Sequence, residues 1–413
     1  MSRAGRSALR HRDFSFFLVS MVAEAFALQM SFVAIGWQVY SIRGNAHDLG
    51  LLGLAEFLPL LLLALPAGQL ADRFPRRYLL VVMMLLNLVV LSGLLAVTIV
   101  DTGHVWPFFA LAFVQGVGSA IGAPAGRALT PSLVPEEILV SALAQRSMAF
   151  QLSAVIAPAV GGLLFAVQPE LVYVVAIMLA FVALVSVLAL RSGREPAAES
   201  AVGLNEVLAG VRLIRRTNVL LGAISLDLFA VLFGGAVALL PIFAKDILEV
   251  GPTGLGLLRA APAVGSLITA AAIARYPIRR RAGPMLFSVV AGFGVSMVVF
   301  GLSRSMWLSM LALAVGAGLD MVSVVLRQTI LPLVTPDELR GRVNAVEMVF
   351  ISASNELGAF ESGVAAALIG AVPAVVLGGI VTVVVAGVWW KLFPSLARVD
   401  RLDELRPVAV DAG

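Results

Sequence analysis

Four acidic residues stand where a charge is costly to hold. Glu24, Asp227, Asp320 and Glu356 each lie near the middle of a long apolar stretch. A charge at mid-bilayer costs at least about 2.5–3.5 kcal/mol on insertion scales, so such a group turns to a protein partner or to a water-filled cavity. A carboxyl in a cavity can take a proton from one side and release it to the other, and it can hold a cationic substrate. Gln29, on the same stretch as Glu24, joins these four as a candidate lining residue. The same acids also admit a structural reading, in which a local Arg or backbone group neutralises each of them and ties helices together. Glu56 and Arg259 carry opposite charges nearer the other end of their stretches and, with Glu361, suit an outer gate or an ion pair. Arg146 suits either an anionic group or snorkelling to the surface.

Other chemistries lack their residues. The chain has no cysteine, and His11, His47 and His104 are scattered without ligand spacing, so no metal is expected. There is no phosphate-cradling glycine loop with a lysine and no nucleophile–base constellation, so neither a cofactor nor catalysis is expected.

The elements that must position these residues follow from composition. Of 413 residues, 60% are hydrophobic and 13% charged, and the mean hydropathy is +1.00. Soluble domains average about 45–50% apolar and about 25% charged residues, so a soluble enzyme, a disordered chain and an ordinary nucleic-acid binder are excluded. Twelve apolar segments run 14–41, 49–71, 77–100, 105–129, 140–167, 170–190, 218–243, 252–274, 283–302, 306–330, 343–368 and 372–393. A transmembrane helix needs about 20 residues, and the short alternating segments of a membrane β-barrel are absent. The first segment is too long for a signal-peptide core and is read as a retained helix.

Orientation follows from the basic residues. With both termini cytoplasmic, the outer loops hold only Arg43, Lys245 and Arg304 of the 29 Lys and Arg. Arg146 and Arg259 fall inside segments, and the rest, Arg127 and Arg327 among them, mark the inner loops and tails. Trp37, Tyr40, Trp106 and Trp307 lie at outer ends, and Tyr78, Trp389 and Trp390 at inner ends.

The chain also repeats itself. Gly53–Pro59 matches Gly256–Pro262, Glu24 pairs with Asp227, and Arg73-Phe74-Pro75 matches Arg275-Tyr276-Pro277. Gly116, Gly118 and Arg127 match Gly316, Gly318 and Arg327. Two six-segment halves in one orientation are the parallel repeats of a transporter that rocks about a central site. Residues 1–190 are expected to form one six-helix bundle and 218–393 the other. Residues 191–217 read as a cytoplasmic linker with an amphipathic helix whose apolar face is Leu204, Val207, Leu208, Val211 and Ile214, and 394–413 as a cytoplasmic tail.

Three motifs add a resemblance. Gly68-Gln69-Leu70-Ala71-Asp72-Arg73-Phe74-Pro75-Arg76-Arg77 resembles the loop signature of the major facilitator superfamily, with Pro75 in place of its second glycine. The matching loop of the second half has Ala274 where the first has Asp72. The resemblance implies a cytoplasmic gate built on Gly68, Asp72, Arg73, Arg76 and Arg77. Ala157-Pro158-Ala159-Val160-Gly161-Gly162 is similar to the antiporter motif of the superfamily's exporters, carried here by Pro158, Gly161 and Gly162. Gln115-Gly116-Val117-Gly118 is similar to its fourth-helix motif, with Ala112 where the family has an arginine. Together with the Pro336–Asn344 and Ser354–Gly363 stretches, the chain resembles the bacterial drug:H⁺ antiporter branch that includes enterobactin exporters and macrolide efflux pumps.

The expectation is therefore an all-α polytopic membrane protein with twelve transmembrane helices in a major facilitator fold, in a bacterial cytoplasmic membrane. It would export a small hydrophobic or amphipathic molecule in exchange for protons, as a monomer in the lipid bilayer, without nucleic acid. An importer or facilitator of a specific metabolite is the nearest alternative. A non-transporting receptor or a membrane-embedded enzyme is more remote.

Overall fold

The structure, a computed structural model, describes residues 8–191 and 204–407, and all regular structure within them is helical. The surroundings of some residues within α-helices, Gly68, Asp72, Leu204, Val207 and Leu208 among them, also lie outside the described residues. The first six helices are α1 (Arg12–Arg43), α2 (Ala46–Arg73), α3 (Arg76–Val100), α4 (Trp106–Ser132), α5 (Glu136–Val167) and α6 (Pro169–Leu188). Their ends lie within a few residues of the hydropathy boundaries because local chemistry stops them. Gly44, at φ 63°, closes α1 with its N–H on Tyr40 O at 2.8 Å. Asn45 then caps α2, its side chain accepting from His47 N at 3.0 Å.

The second half begins with α7 (Leu204–Arg216) and α8 (Asn218–Gly234). The expected segment 218–243 is not one regular helix. After Gly234-Gly235 the chain passes through a 3₁₀ turn over Val237–Leu239, the short α9 (Leu240–Ile242) and a π-turn over Phe243–Ile247. Pro241 has no N–H to continue the ladder and its ring crowds the preceding turn, which accounts for the irregularity. Then follow α10 (Gly251–Arg275), α11 (Ala282–Leu302), α12 (Met306–Val334), α13 (Asp337–Ile369), α14 (Ala371–Leu392) and the short α15 (Pro394–Ala397). Eleven helices among the described residues are long and apolar enough to cross a membrane. The expected segment 343–368 lies within α13, which is 33 residues long but more polar, carrying Glu347, Glu356 and Glu361.

The chain divides into two compact units, Met1–Ala201 with Glu249–Ala260, and Val202–Leu248 with Ala261–Gly413. In the first, α1 packs on α5 and α6, α3 on α4 and α6, and α2 on α4. In the second, α8 packs on α13 and α14, and α11 on α12 and α14. The later part of α10 meets α12, where Ser266 Oγ donates to Ala317 O at 3.2 Å. Span for span, one packing order is used twice. Glycine makes the closest crossings possible: a Cβ on Gly116 would fall 2.1 Å from Glu56 O, and one on Gly265 would fall 1.8 Å from Ala314 O.

Each unit has its own apolar core, with Phe14, Phe17, Leu129 and Leu190 in the first and Leu220, Leu286, Leu326 and Leu396 in the second. Large apolar side chains such as Leu62, Leu163, Leu311 and Leu368 are also exposed. Such surfaces are unsuited to water and match a lipid environment, where only the backbone must be satisfied internally. From the amphipathic face of α7, Ile214 is buried in the second core, and Gly210 lies against the Arg342 backbone of α13. The chain after α14 docks on the second unit as well: Ala282 N and Gly283 N donate to Asp400 O and Val399 O at 3.2 and 2.8 Å.

Candidate functional site

The second unit gathers charges from three helices. Asp227 lies on α8, Asp320 and Arg327 on α12 and Glu347 on α13. Arg327 Nη2 is 2.7 Å from Asp227 Oδ1, and Arg327 Nη1 is 3.8 Å from Glu347 Oε1. Arg327, Asp227 and Glu347 are only 3%, 5% and 9% exposed, so this is a buried cluster and not a surface pair. Asp320 is near enough to act electrostatically on both Asp227 and Arg327. The contact to Glu347 is an ion pair too long for a hydrogen bond, and Arg327 Nε has no acceptor among the described residues.

This corrects the placement of Arg327 as an inner-loop marker: it lies within α12 and is committed to acids. Arg327 and Glu347 are the members of this candidate site that sequence reasoning missed. The signal was present, since Arg327 is flanked by Val324-Val325-Leu326 and Ile330-Leu331, a setting unlike a loop.

The first unit treats its repeat-related acid differently. Glu24, on α1 and buried, accepts a short hydrogen bond from Asn87 Nδ2 of α3. Glu24 Oε2 and Asn87 Oδ1 have no partner among the described residues. An amide therefore stands where the other unit uses a guanidinium. Replacing Asn87 by Leu strips Glu24 of its donor and should lower stability by about 1–3 kcal/mol. Thermal unfolding of the purified protein checks this, and an unchanged midpoint would show that the bond contributes nothing.

The remaining candidates are more dispersed. Gln29 and Glu356 are half-buried on α1 and α13. Glu361 is half-buried beside Ser362, whose Oγ donates to Gly235 O at 2.9 Å. Arg76 Nη1 donates to Ala128 O at 2.7 Å, and Arg77 Nη2 donates to Leu188 O through a short bond. These arginines occupy the carboxyl ends of α4 and α6, where a cation meets orphan carbonyls and the negative end of the helix dipole. Arg73 is exposed, and the surroundings of Gly68 and Asp72 lie outside the described residues. Arg146 Nη1 donates to Thr130 Oγ1 at 2.9 Å.

Arg259 Nη1 donates to Phe32 O at 3.3 Å, and its guanidinium lies 5.7 Å from the Phe32 ring centre. Glu56 is within electrostatic reach of Arg259. In the motif of α5, Pro158 sits within the helix and Gly161 faces the Met30 backbone, where a Cβ would lie 2.8 Å from Met30 Cα. A Cβ on Gly162 would be 2.5 Å from Pro252 O, and one on Gly256 would be 2.4 Å from Pro158 O. The motif is thus a backbone-to-backbone crossing. Among the described residues no group of His, Cys, Asp and Glu forms a metal site.

The chain is similar to known proteins in sequence and in fold. A family model described as "Transmembrane secretion effector" matches residues 4–407. The enterobactin exporter EntS of Shigella boydii serotype 18 is 27% identical over 347 residues, covering 83% of this chain and 80% of that protein. Among solved structures, a peptide transporter POT in complex with sulfate has a TM-score of 0.73 at 15% identity, covering 97% of each chain. A bacterial homologue of the iron transporter ferroportin in an inward-facing state has a TM-score of 0.69 at 16% identity, covering 94% of this chain and 99% of the other. At those identities the structural likeness is one of fold. With a family model spanning nearly its whole length, this polytopic membrane protein belongs to the transmembrane secretion effector family of major facilitator transporters and is not an enzyme.

Proposed function

We propose that the protein is a bacterial inner-membrane exporter that moves a small hydrophobic or amphipathic molecule outward in exchange for protons, by alternating access. The observation that carries this reading is the charge imbalance around Arg327, where one guanidinium serves Asp227 and Glu347, with Asp320 in range. An apolar interior does not hold surplus carboxylate charge; it is relieved by a bound proton or a cationic ligand. The distances of 2.7 Å to Asp227 and 3.8 Å to Glu347 give Arg327 two alternative anions. Protonation of one acid favours the other as its partner, which links proton binding to the relation between α8, α12 and α13. In this reading Glu24, Gln29 and Glu356 line the substrate and proton route. The loop carrying Gly68, Asp72, Arg73, Arg76 and Arg77 closes the cytoplasmic side, and Glu56, Arg259 and Glu361 serve the outer side. Export is supported by the likeness to a protein named an enterobactin exporter, and the protein is taken to act as a monomer.

The test uses inverted membrane vesicles and a substrate panel that includes enterobactin. Gradient-driven uptake of at least one compound is expected, with Asp227→Asn lowering it at least about tenfold. Uptake that persists undiminished after the gradient is collapsed would count against proton exchange. Unchanged coupling in Glu24→Gln, Asp227→Asn, Asp320→Asn and Glu356→Gln would remove these acids from the mechanism.

A further inference from the structure

A cavity of about 570 Å³ opens at one end of the first unit, and Glu24, Asp227, Asp320 and Glu356 are not in its lining. The charge distribution assigns this end to the outer face. The volume is that of a small-molecule pocket. Trp37, Phe108 and Phe165 line it, from α1, α4 and α5, and Phe108 and Phe165 are buried. Asp101 and Glu170 also line it, and among the described residues no basic side chain does. Glu170 Oε2 is buried without a hydrogen-bond partner among the described residues. The nearby cation Arg43 is 4.0 Å from Asp48 and is not part of the lining.

The floor of the cavity is held rigid. Tyr173, fully buried, donates from its hydroxyl to Gln38 Oε1 at 2.5 Å, and Gln38 Nε2 donates to Thr98 Oγ1 at 2.9 Å. Asp101 follows the carboxyl end of α3, where the helix dipole adds negative potential. The amino end of α6 offsets part of the Glu170 charge. Two acids with aromatic faces in a partly desolvated pocket form the recognition chemistry of an organic cation: ion pairing for its charge and ring faces for its body.

We propose that this cavity is a binding site for amine or quaternary onium cations at the outer end of the first unit, separate from the acids assigned to proton exchange. It does not depend on the transport reading. The test is equilibrium dialysis of labelled tetraphenylphosphonium against the full-length protein in lipid nanodiscs, with empty nanodiscs as blank. Tetraphenylborate, of the same shape and opposite charge, is the competitor.

Saturable onium binding is expected, with tetraphenylborate failing to compete. Glu170→Gln and Trp37→Leu should each weaken binding at least about tenfold, whereas Glu170→Asp should keep it within about threefold. Asp227→Asn should leave it unchanged. The proposal is overturned if the first two variants, eluting as wild type on size exclusion, bind as tightly as wild type. It is also overturned if tetraphenylborate competes equally, or if Asp227→Asn abolishes binding and so assigns the cation to the second unit.

Discussion

Arg327→Gln is expected to cost about 3–5 kcal/mol of stability, the range seen when one member of a buried ion pair is removed. The reason is the number of acids left behind. Asp227 at 2.7 Å and Glu347 at 3.8 Å both lose their cation, and Asp320 loses the same counter-charge. Asp227→Asn should cost less, about 1–3 kcal/mol, because Arg327 keeps Glu347 and Asp320 within range. The order of the two single variants therefore tests the cluster more sharply than either value alone. Adding Asp227→Asn to Arg327→Gln should recover part of the loss, since one uncompensated carboxylate is removed. Thermal unfolding of the four proteins in the same detergent supplies the comparison. Equal losses for the two single variants, or the milder loss in Arg327→Gln, would contradict a cluster in which one guanidinium serves several acids.

The second large effect concerns the crossing of α5 with the first residues of α10. Gly162→Ala places a methyl group 2.5 Å from Pro252 O and 3.0 Å from Gly256 Cα. Both obstacles are backbone, so no side chain can rotate away and the helices must separate. Overpacking of this kind costs about 1–3 kcal/mol, and Gly256→Ala, 2.4 Å from Pro158 O, should behave alike. Gly387→Ala is the control, because nothing lies within 4 Å of its added Cβ. There the gain in helix propensity is about 0.5–1 kcal/mol, so stability should rise slightly or hold. If proton-coupled export runs through this crossing, Gly162→Ala and Gly256→Ala lower gradient-driven uptake several-fold more than Gly387→Ala at matched protein levels. Equal uptake in all three would leave the glycines with a packing role only.

The residues of the glycine crossing and of the charge cluster differ in how visible they are in the sequence. Gly161 and Gly162 stand out because small residues after Pro158 form a recognisable motif, and a glycine's close approach is a property of its own missing side chain. The partners in that approach, Met30, Pro252 and Gly256, are remote in the chain, and nothing in the sequence marks them as its partners. Asp227 stands out because a carboxylate in an apolar run is costly wherever it sits. Its partner Arg327 is indistinguishable from the topological arginines by a count of basic residues near span ends, since such a count does not register how far into α12 a given one lies. Asn87 and Glu347 gave still weaker signals. An asparagine in a long apolar helix and a glutamate near a helix start both have ordinary explanations until the facing helix is known.

The irregular stretch after α8 is marked in the sequence by its residue types but not by its hydropathy. Gly234-Gly235 and Pro241 are helix breakers, but the apolar run continues through them, and hydropathy measures transfer from water without regard to backbone geometry. The α10, α11 and α14 boundaries, by contrast, agree closely with the apolar segments, because lipid exposure and helix termination act on the same residues there.

By itself, then, the sequence determined the all-helical polytopic class, the positions of nearly all its spans, the doubling of the chain and the acids that lipid would not tolerate. Each of these is a property of a window of about 20 residues or of a comparison between two windows. Only the tertiary structure decided which residues meet across helices: Arg327 with Asp227 and Glu347, Asn87 with Glu24, Gly162 with Gly256, and the aromatic and acidic lining of the cavity beside Glu170. Those pairings depend on the rotation and depth of each helix against its neighbours. Rotation and depth are set by the packing of side chains distant in sequence, which no local window contains.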